Sequence, residues 1–194
     1  MRAIFLDIET TGLDPTKHRA IDVACQIIDI PSNQLKGIYQ SLIQISKEDW
    51  EKTDPSSIKV NGYTWGLISK GKPIQEVRDE IIILFESLLI KRGEAVFICQ
   101  NPSFDRGFFS QIIDVYTQES LNWPYHWLDL ASMYWTMLHV KNRETLKDIK
   151  EGNLSKNAIA ASCGLPPETE PHRAINGVTH LMQCYQSVLD TKFD

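Results

Sequence analysis

Apolar residues run unbroken through Ala3-Ile4-Phe5-Leu6 and then alternate with acids, Asp7-Ile8-Glu9, before Thr-Thr-Gly-Leu-Asp-Pro. A short apolar run stopped by glycine and proline predicts a buried strand, here over 2–8, that ends in a turn. Two more strand-like stretches, 20–30 and 35–45, are joined by Pro31-Ser32-Asn33-Gln34, which predicts a hairpin. Asp54-Pro55-Ser56-Ser57 carries helix-start chemistry, and Asn61-Gly62 marks that helix's end. Over 74–91 the apolar residues Ile74, Val77, Ile81, Leu84, Phe85, Leu88 and Leu89 recur with helical period. The pattern then predicts a short strand at 94–100, an aromatic-rich helix at 103–118, a strand at 126–130 and a helix to about Val140. A short helix at 156–163 is closed by Gly164. A last helix over 172–189 shows one apolar face: Ala174, Ile175, Val178, Leu181, Met182, Tyr185 and Val188.

Three early strands followed by alternating strand and helix predict an α/β fold, a mixed sheet flanked by helices. The chain has 194 residues, enough for one domain with a real core, with no repeat or long linker to divide 1–194. An apolar content of 42% with 23% charged residues is that of a soluble globular protein. The N-terminus reads as a strand rather than a signal peptide, and no apolar run is long enough to span a bilayer, so no membrane role is expected. Cys25, Cys99, Cys163 and Cys184 are scattered, with no CxxC pair. They read as reduced thiols of a cytoplasmic protein. A net charge of −5 argues against a long basic groove for duplex DNA. It leaves room for a protein that grips only a strand end.

Three segments carry candidate chemistry. Residues two apart on a strand share a face, so Asp7 and Glu9 point the same way and repel unless a cation lies between them. Hard oxygen ligands without a thiolate suit Mg²⁺ or Mn²⁺. The plainer alternative is that the pair merely ends an exposed strand. In "CQNPSFDRGFF", Asp105 stands in the first turn of a helix, where an acid is also favoured by the helix dipole; Asn101, Phe104 and Phe108 serve equally as turn and core residues. In "PHRAINGVTH", His172 opens the last helix, as a proton acceptor near neutral pH or as a capping residue.

Taken together, "FLDIETTGLDP", "NPSFDRGFF" and "PHRAINGV" resemble, in order and spacing, the three motifs of the DEDDh exonucleases, the family of proofreading exonuclease subunits and RNase T. "VNGYTW" and "LSKNAIAASCGLP" resemble the intervening text, so the likeness spans nearly the whole chain. It implies a ribonuclease H-like fold, with three antiparallel strands followed by parallel ones. It also implies a 3′–5′ exonuclease that hydrolyses phosphodiester bonds at single-stranded RNA or DNA 3′ ends and releases nucleoside 5′-monophosphates. On this likeness Asp7, Glu9 and Asp105 are ligands of a two-metal site, one ion for the attacking water and the other for the leaving 3′ oxygen. His172 is the general base. Thr10, Thr11 and Leu13, with Asn101 and Phe104, hold the terminal nucleotide, with stacking that tolerates any base. A polymerase partner or a homo-oligomer is left open.

The chain departs from the family at one place. The family has an aspartate five residues after the histidine, and here that residue is Gly177. One metal ligand is therefore missing from the expected set, with Glu168, Glu170 or a water as stand-ins. An aspartate installed at 177 is expected to project toward Asp7 and Glu9 and to restore the ligand. The competing reading is an exonuclease-like domain of low or no activity that binds nucleic-acid ends or a protein partner.

Overall fold

A computed structural model of the chain describes residues 1–141 and 151–193. Five strands form one mixed sheet: β1 (Arg2–Thr10), β2 (Ala20–Asp29), β3 (Gln34–Leu42), β4 (Ala95–Cys99) and β5 (Trp127–Asp129). Their order across the sheet is β3-β2-β1-β4-β5. The first three pair antiparallel, and β4 and β5 join in parallel. This is the sheet of a ribonuclease H-like fold, as expected. The helices are α1 (Lys47–Glu51), α2 (Pro55–Asn61), α3 (Trp65–Ile68), α4 (Ile74–Ser87), α5 (Pro102–Ile112), α6 (Val115–Ser120), α7 (Leu130–Lys141), α8 (Lys156–Ser162) and α9 (Ala174–Leu189).

Side-chain alternation along β1 divides the interior. Ile4, Leu6 and Ile8 face α4 and α5, in a layer with Phe85, Phe97, Phe108, Phe109 and Trp123. Ala3 and Phe5 face the other way, toward Val178, Leu181 and Cys184 of α9 and Ile159 of α8. Both faces of β1 and β2 are covered, so these strands read as near-continuous apolar runs. Asp7 and Glu9 continue the Ala3–Phe5 face, which is why the two acids come to rest beside α8 and α9.

Several boundaries differ from those read off the pattern, each for a local reason. β1 does not leave the sheet before its acids. β2 pairs it as far as Thr10, matching Asp7 with Ala24 and Glu9 with Asp22. On the other edge, β4 pairs only Arg2 to Phe5. The acids thus lie inside a strand, on the stretch whose parallel neighbour has already ended. The expected helix over 103–118 is two helices. Ile113 turns extended (φ −133°, ψ 104°), and the Asp114 carboxylate accepts the N–H groups of Tyr116 and Thr117, both at 3.0 Å, starting α6 afresh. Two short helices, α1 and α3, went unforeseen; α1 is capped by Ser46, whose hydroxyl accepts the Asp49 N–H at 3.0 Å. The predicted end of α2 holds: Gly62, at φ 62°, caps it in the left-handed region that glycine enters without a Cβ clash. His172 is not the first residue of the last helix. It lies just before it, and α9 starts at Ala174 because the carboxylate of Asp22 accepts that residue's N–H at 3.0 Å.

Candidate active site

Past the end of β4, a cleft is lined by Asp7, Glu9, Phe104, Asp105, Lys156, Glu168 and His172. Asp7 and Glu9 come from β1, Asp105 from the first turn of α5, Lys156 from the start of α8, and Glu168 and His172 from the loop before α9. The sequence-predicted acids and the histidine are thus brought together from three parts of the chain. Glu168, named only as a stand-in, is one of them. Glu170, the other stand-in, is not among the residues that line the cleft.

The carboxylates crowd one another. Glu9 is pushed up to about 8, by burial first and then by the charges of Asp7, Glu168 and Asp22. Asp105 is raised well above the usual carboxylate range by burial and by Asp7, while backbone N–H groups of Asp105 and Ile8 partly hold it down. Burial likewise raises Asp7, and the Lys156 ammonium opposes that rise. Burial disfavours that ammonium in turn, but Asp7 and Glu168 more than offset it, so Lys156 is held above its ordinary value. Lys156 Nζ lies 3.2 Å from Asp7 Oδ1 and 2.8 Å from Glu168 Oε2.

The residues present fit a divalent cation. One ligand atom each from Glu9, Glu168 and His172 lies within 4.8 Å of the others. Glu168 Oε1 is buried with no hydrogen-bond partner and lies 3.9 Å from His172 Nδ1. A buried carboxylate oxygen without a donor is costly, and a bound cation removes that cost.

Gly177 bears directly on the expected ligand set. A Cβ at this position would lie 2.3 Å from Asp7 Oδ2 and 2.6 Å from Asp7 Cγ. The Asp7 carboxylate rests against the bare backbone of α9, so an aspartate at 177 meets that carboxylate first and requires it to shift.

The expected nucleotide-holding residues divide. Thr10, Leu13 and Phe104 line a second cleft next to the first, together with Glu9, Val60 and Asn61, and Leu13 stands 73% exposed at its edge. Thr11 is fully buried. Its hydroxyl accepts the Arg19 N–H at 2.9 Å and its carbonyl accepts the Asp54 N–H at 2.8 Å, so its side chain closes the turn. Asn101 occupies the left-handed cap of α5 (φ 57°), with its N–H donating to Asp129 and its side chain accepting from Ser103. The structure gives it a turn role.

A brace around the site escaped the pattern. The Tyr63 hydroxyl donates to Asp22, the carboxylate that also starts α9. Arg173 lies over the Tyr63 ring at 4.2 Å and donates to the Asn61 carbonyl. The Asn61 amide donates to Thr10 O at 3.1 Å, and the His172 N–H donates to Val60 O at 3.3 Å. These bonds tie the end of β1, α2 and the His172 loop into one unit. "VNGYTW" was the available signal for it, but nothing in that string names Asp22 as the partner.

Against known proteins, the model of the RNase T family, described as exonuclease, matches residues 4–185. The PolC-type DNA polymerase III of Thermotoga maritima is 24% identical over 173 residues, which is 89% of this chain and 11% of that one. The chain thus spans about a tenth of the curated relatives it matches. Among solved structures, exonuclease I superposes with a TM-score of 0.75 at 16% identity, covering 98% of this chain and 41% of that one. The complex of Escherichia coli exonuclease I with single-stranded DNA and zinc gives 0.74 at 17%, covering 97% and 40%. A 3′-exonuclease that recognises a histone mRNA stem-loop gives 0.71 at 12%, covering 97% and 81%. At these identities the likeness is one of fold.

Proposed function

The chain belongs to the RNase T exonuclease family, and we propose on that footing that it is a metal-dependent 3′–5′ exonuclease of single-stranded RNA or DNA ends, releasing nucleoside 5′-monophosphates. The observation that carries this reading is the convergence of Asp7, Glu9, Asp105, Glu168 and His172 on one cleft beside the Leu13–Phe104 edge. A divalent ion, Mg²⁺ or Mn²⁺, supplies Lewis-acid polarisation of the phosphate and of water when bound. Glu9 and Glu168 would hold it, with Asp7 and Asp105 adding negative charge around it. His172, tethered by its backbone to α2, accepts the proton of the attacking water. Leu13 and Phe104 offer apolar faces to the terminal base, and such contacts read no particular base. The whole of 1–194 acts as one exonuclease domain, cytoplasmic, with a polymerase among its candidate partners.

The test is digestion of 5′-labelled single-stranded RNA and DNA with Mg²⁺ or Mn²⁺, with and without EDTA. A ladder shortening from the 3′ end, 5′-monophosphate products and loss of both with EDTA are expected. No cleavage of either substrate with either ion sinks the proposal. That result favours the second reading, an exonuclease-like domain that only binds ends or a partner. The specific observation behind the second reading is Gly177 in place of an acid, with Asp7 engaged by Lys156.

A further inference from the structure

We infer that the Lys156 ammonium is a built-in cation of this site, standing beside Asp7 and Glu168 in place of a second divalent ion, so that the cleft takes up a single metal. The inference rests on the exonuclease reading for its relevance to turnover, but its geometry is independent of it.

Three observations converge. The first is saturation. An ammonium has three donors, and Lys156 Nζ faces three acceptors: Glu168 Oε2 at 2.8 Å, Asp7 Oδ1 at 3.2 Å and the Gly177 carbonyl at 3.4 Å. With all three N–H groups engaged and 13% of its side chain exposed, Lys156 has no donor left to grip a phosphate. It is a positioning residue. The second is division of labour within Glu168. One oxygen takes the ammonium, and the other is buried, unpartnered and turned toward His172. The ammonium and the Glu9–Glu168–His172 group are therefore neighbours that share one carboxylate, as two metals sharing a bridging carboxylate would be. The third is Gly177. The Asp7 carboxylate presses on its α-carbon so closely that any side chain at 177 would displace it, and the carbonyl of the same residue accepts from Lys156. The missing acid and the Lys156 ammonium are two parts of one arrangement. Where the resemblance implies a further carboxylate, this chain has a bare backbone with the Lys156 ammonium beside it.

The difference matters chemically. A lysine is a point charge with no vacant coordination position. It offsets one of the two negative charges of Asp7 and Glu168 at every metal concentration, but polarises nothing. The expected consequence is a site assembled without metal that needs one ion for activity.

Counting ions tests this. The full chain is titrated with Mn²⁺ alone, and bound ion is read from the loss of the free-Mn²⁺ paramagnetic resonance signal. One tight Mn²⁺ per wild-type chain is expected. Lys156→Met removes the ammonium and leaves Asp7 and Glu168 unpaired, and is expected to bind two. Lys156→Arg keeps the charge and is expected to return to one. Two tight ions in the wild type overturn the inference, as do none, or a Lys156→Met protein that still binds one with unchanged affinity. Should Lys156→Met fail to fold, the wild-type count decides alone. The count needs no turnover. One bound ion with no digestion overturns the exonuclease reading and leaves the Lys156 assignment standing. Two bound ions with digestion do the reverse.

Discussion

The two faces of β1 carry opposite chemistry. Beneath α4 and α5 lies an aromatic layer in which Phe97 stacks on Trp127 at 4.1 Å and Phe85 meets Trp123 at 4.8 Å. Two residues of that layer, Trp123 and Trp127, carry buried indole N–H groups without partners. On the α8–α9 side the same strand holds Asp7 and Glu9 against Glu168 and Lys156. There burial raises carboxyl groups and leaves a carboxylate oxygen unpartnered. One face is built for stability, and the other is held together by it against mutual repulsion. Because alternation puts the two faces on one strand, the rigid aromatic layer is what keeps the acids in register.

The comparison is broken most severely on the charged face. Asp7→Asn and Glu9→Ala are each expected to remove nearly all exonuclease activity, measured on a labelled oligonucleotide, while leaving the metal-free melting temperature unchanged or higher. Wild-type digestion by either variant removes that residue from the metal site. His172→Ala is expected to lower the rate by about 10²–10⁴, the usual worth of a positioned proton acceptor, and to flatten the pH–rate profile. If it instead abolishes Mn²⁺ uptake, His172 is a ligand rather than the base.

On the aromatic face the expected effect is the opposite one. Phe97→Ala removes a fully buried ring and is expected to cost about 3–5 kcal/mol in a denaturant titration, with the Mn²⁺ count unaltered. A changed count would show that the two faces are less independent than described. Smaller still is Gly177→Ala. Its Cβ must move the Asp7 carboxylate, at about 1–3 kcal/mol for overpacking, with reduced metal affinity. Unchanged stability and affinity would show that Asp7 has room to yield.

The remaining effect is a slope rather than a step. Glu9 is raised from 4.5 to about 8 in the folded chain, so in that window the folded state holds a proton that the unfolded state has lost. Metal-free stability should therefore fall as pH rises from about 4.5 to about 8 and level off above it. Saturating Mn²⁺, which favours the ionised carboxylate, should reduce the slope. A metal-free protein whose stability rises through that window would show that Glu9 is not buried among like charges.

What the sequence determined by itself follows from local rules. Period-two alternation was enough to place Asp7 and Glu9 on one face, and the run of strand then helix was enough for a mixed sheet. Gly62 and Gly164 stopped helices where a left-handed residue is needed, and the motif text around Asp7, Asp105 and His172 was specific enough to read the family. Boundaries failed where a partner distant in sequence decided them. β1 continues to Thr10 because β2 pairs it, and α9 begins at Ala174 because Asp22 accepts its N–H. At the site, too, the surroundings of one residue lay beyond what spacing encodes. Gly177 read as a ligand lost, since a sequence shows the missing carboxylate but not what lies against the α-carbon that replaced it. Only the packing of α8 and α9 on β1 put the Asp7 carboxylate on that carbon and the Lys156 ammonium between Asp7 and Glu168. Charges from three separate segments interact through space, at distances that no spacing along the chain encodes.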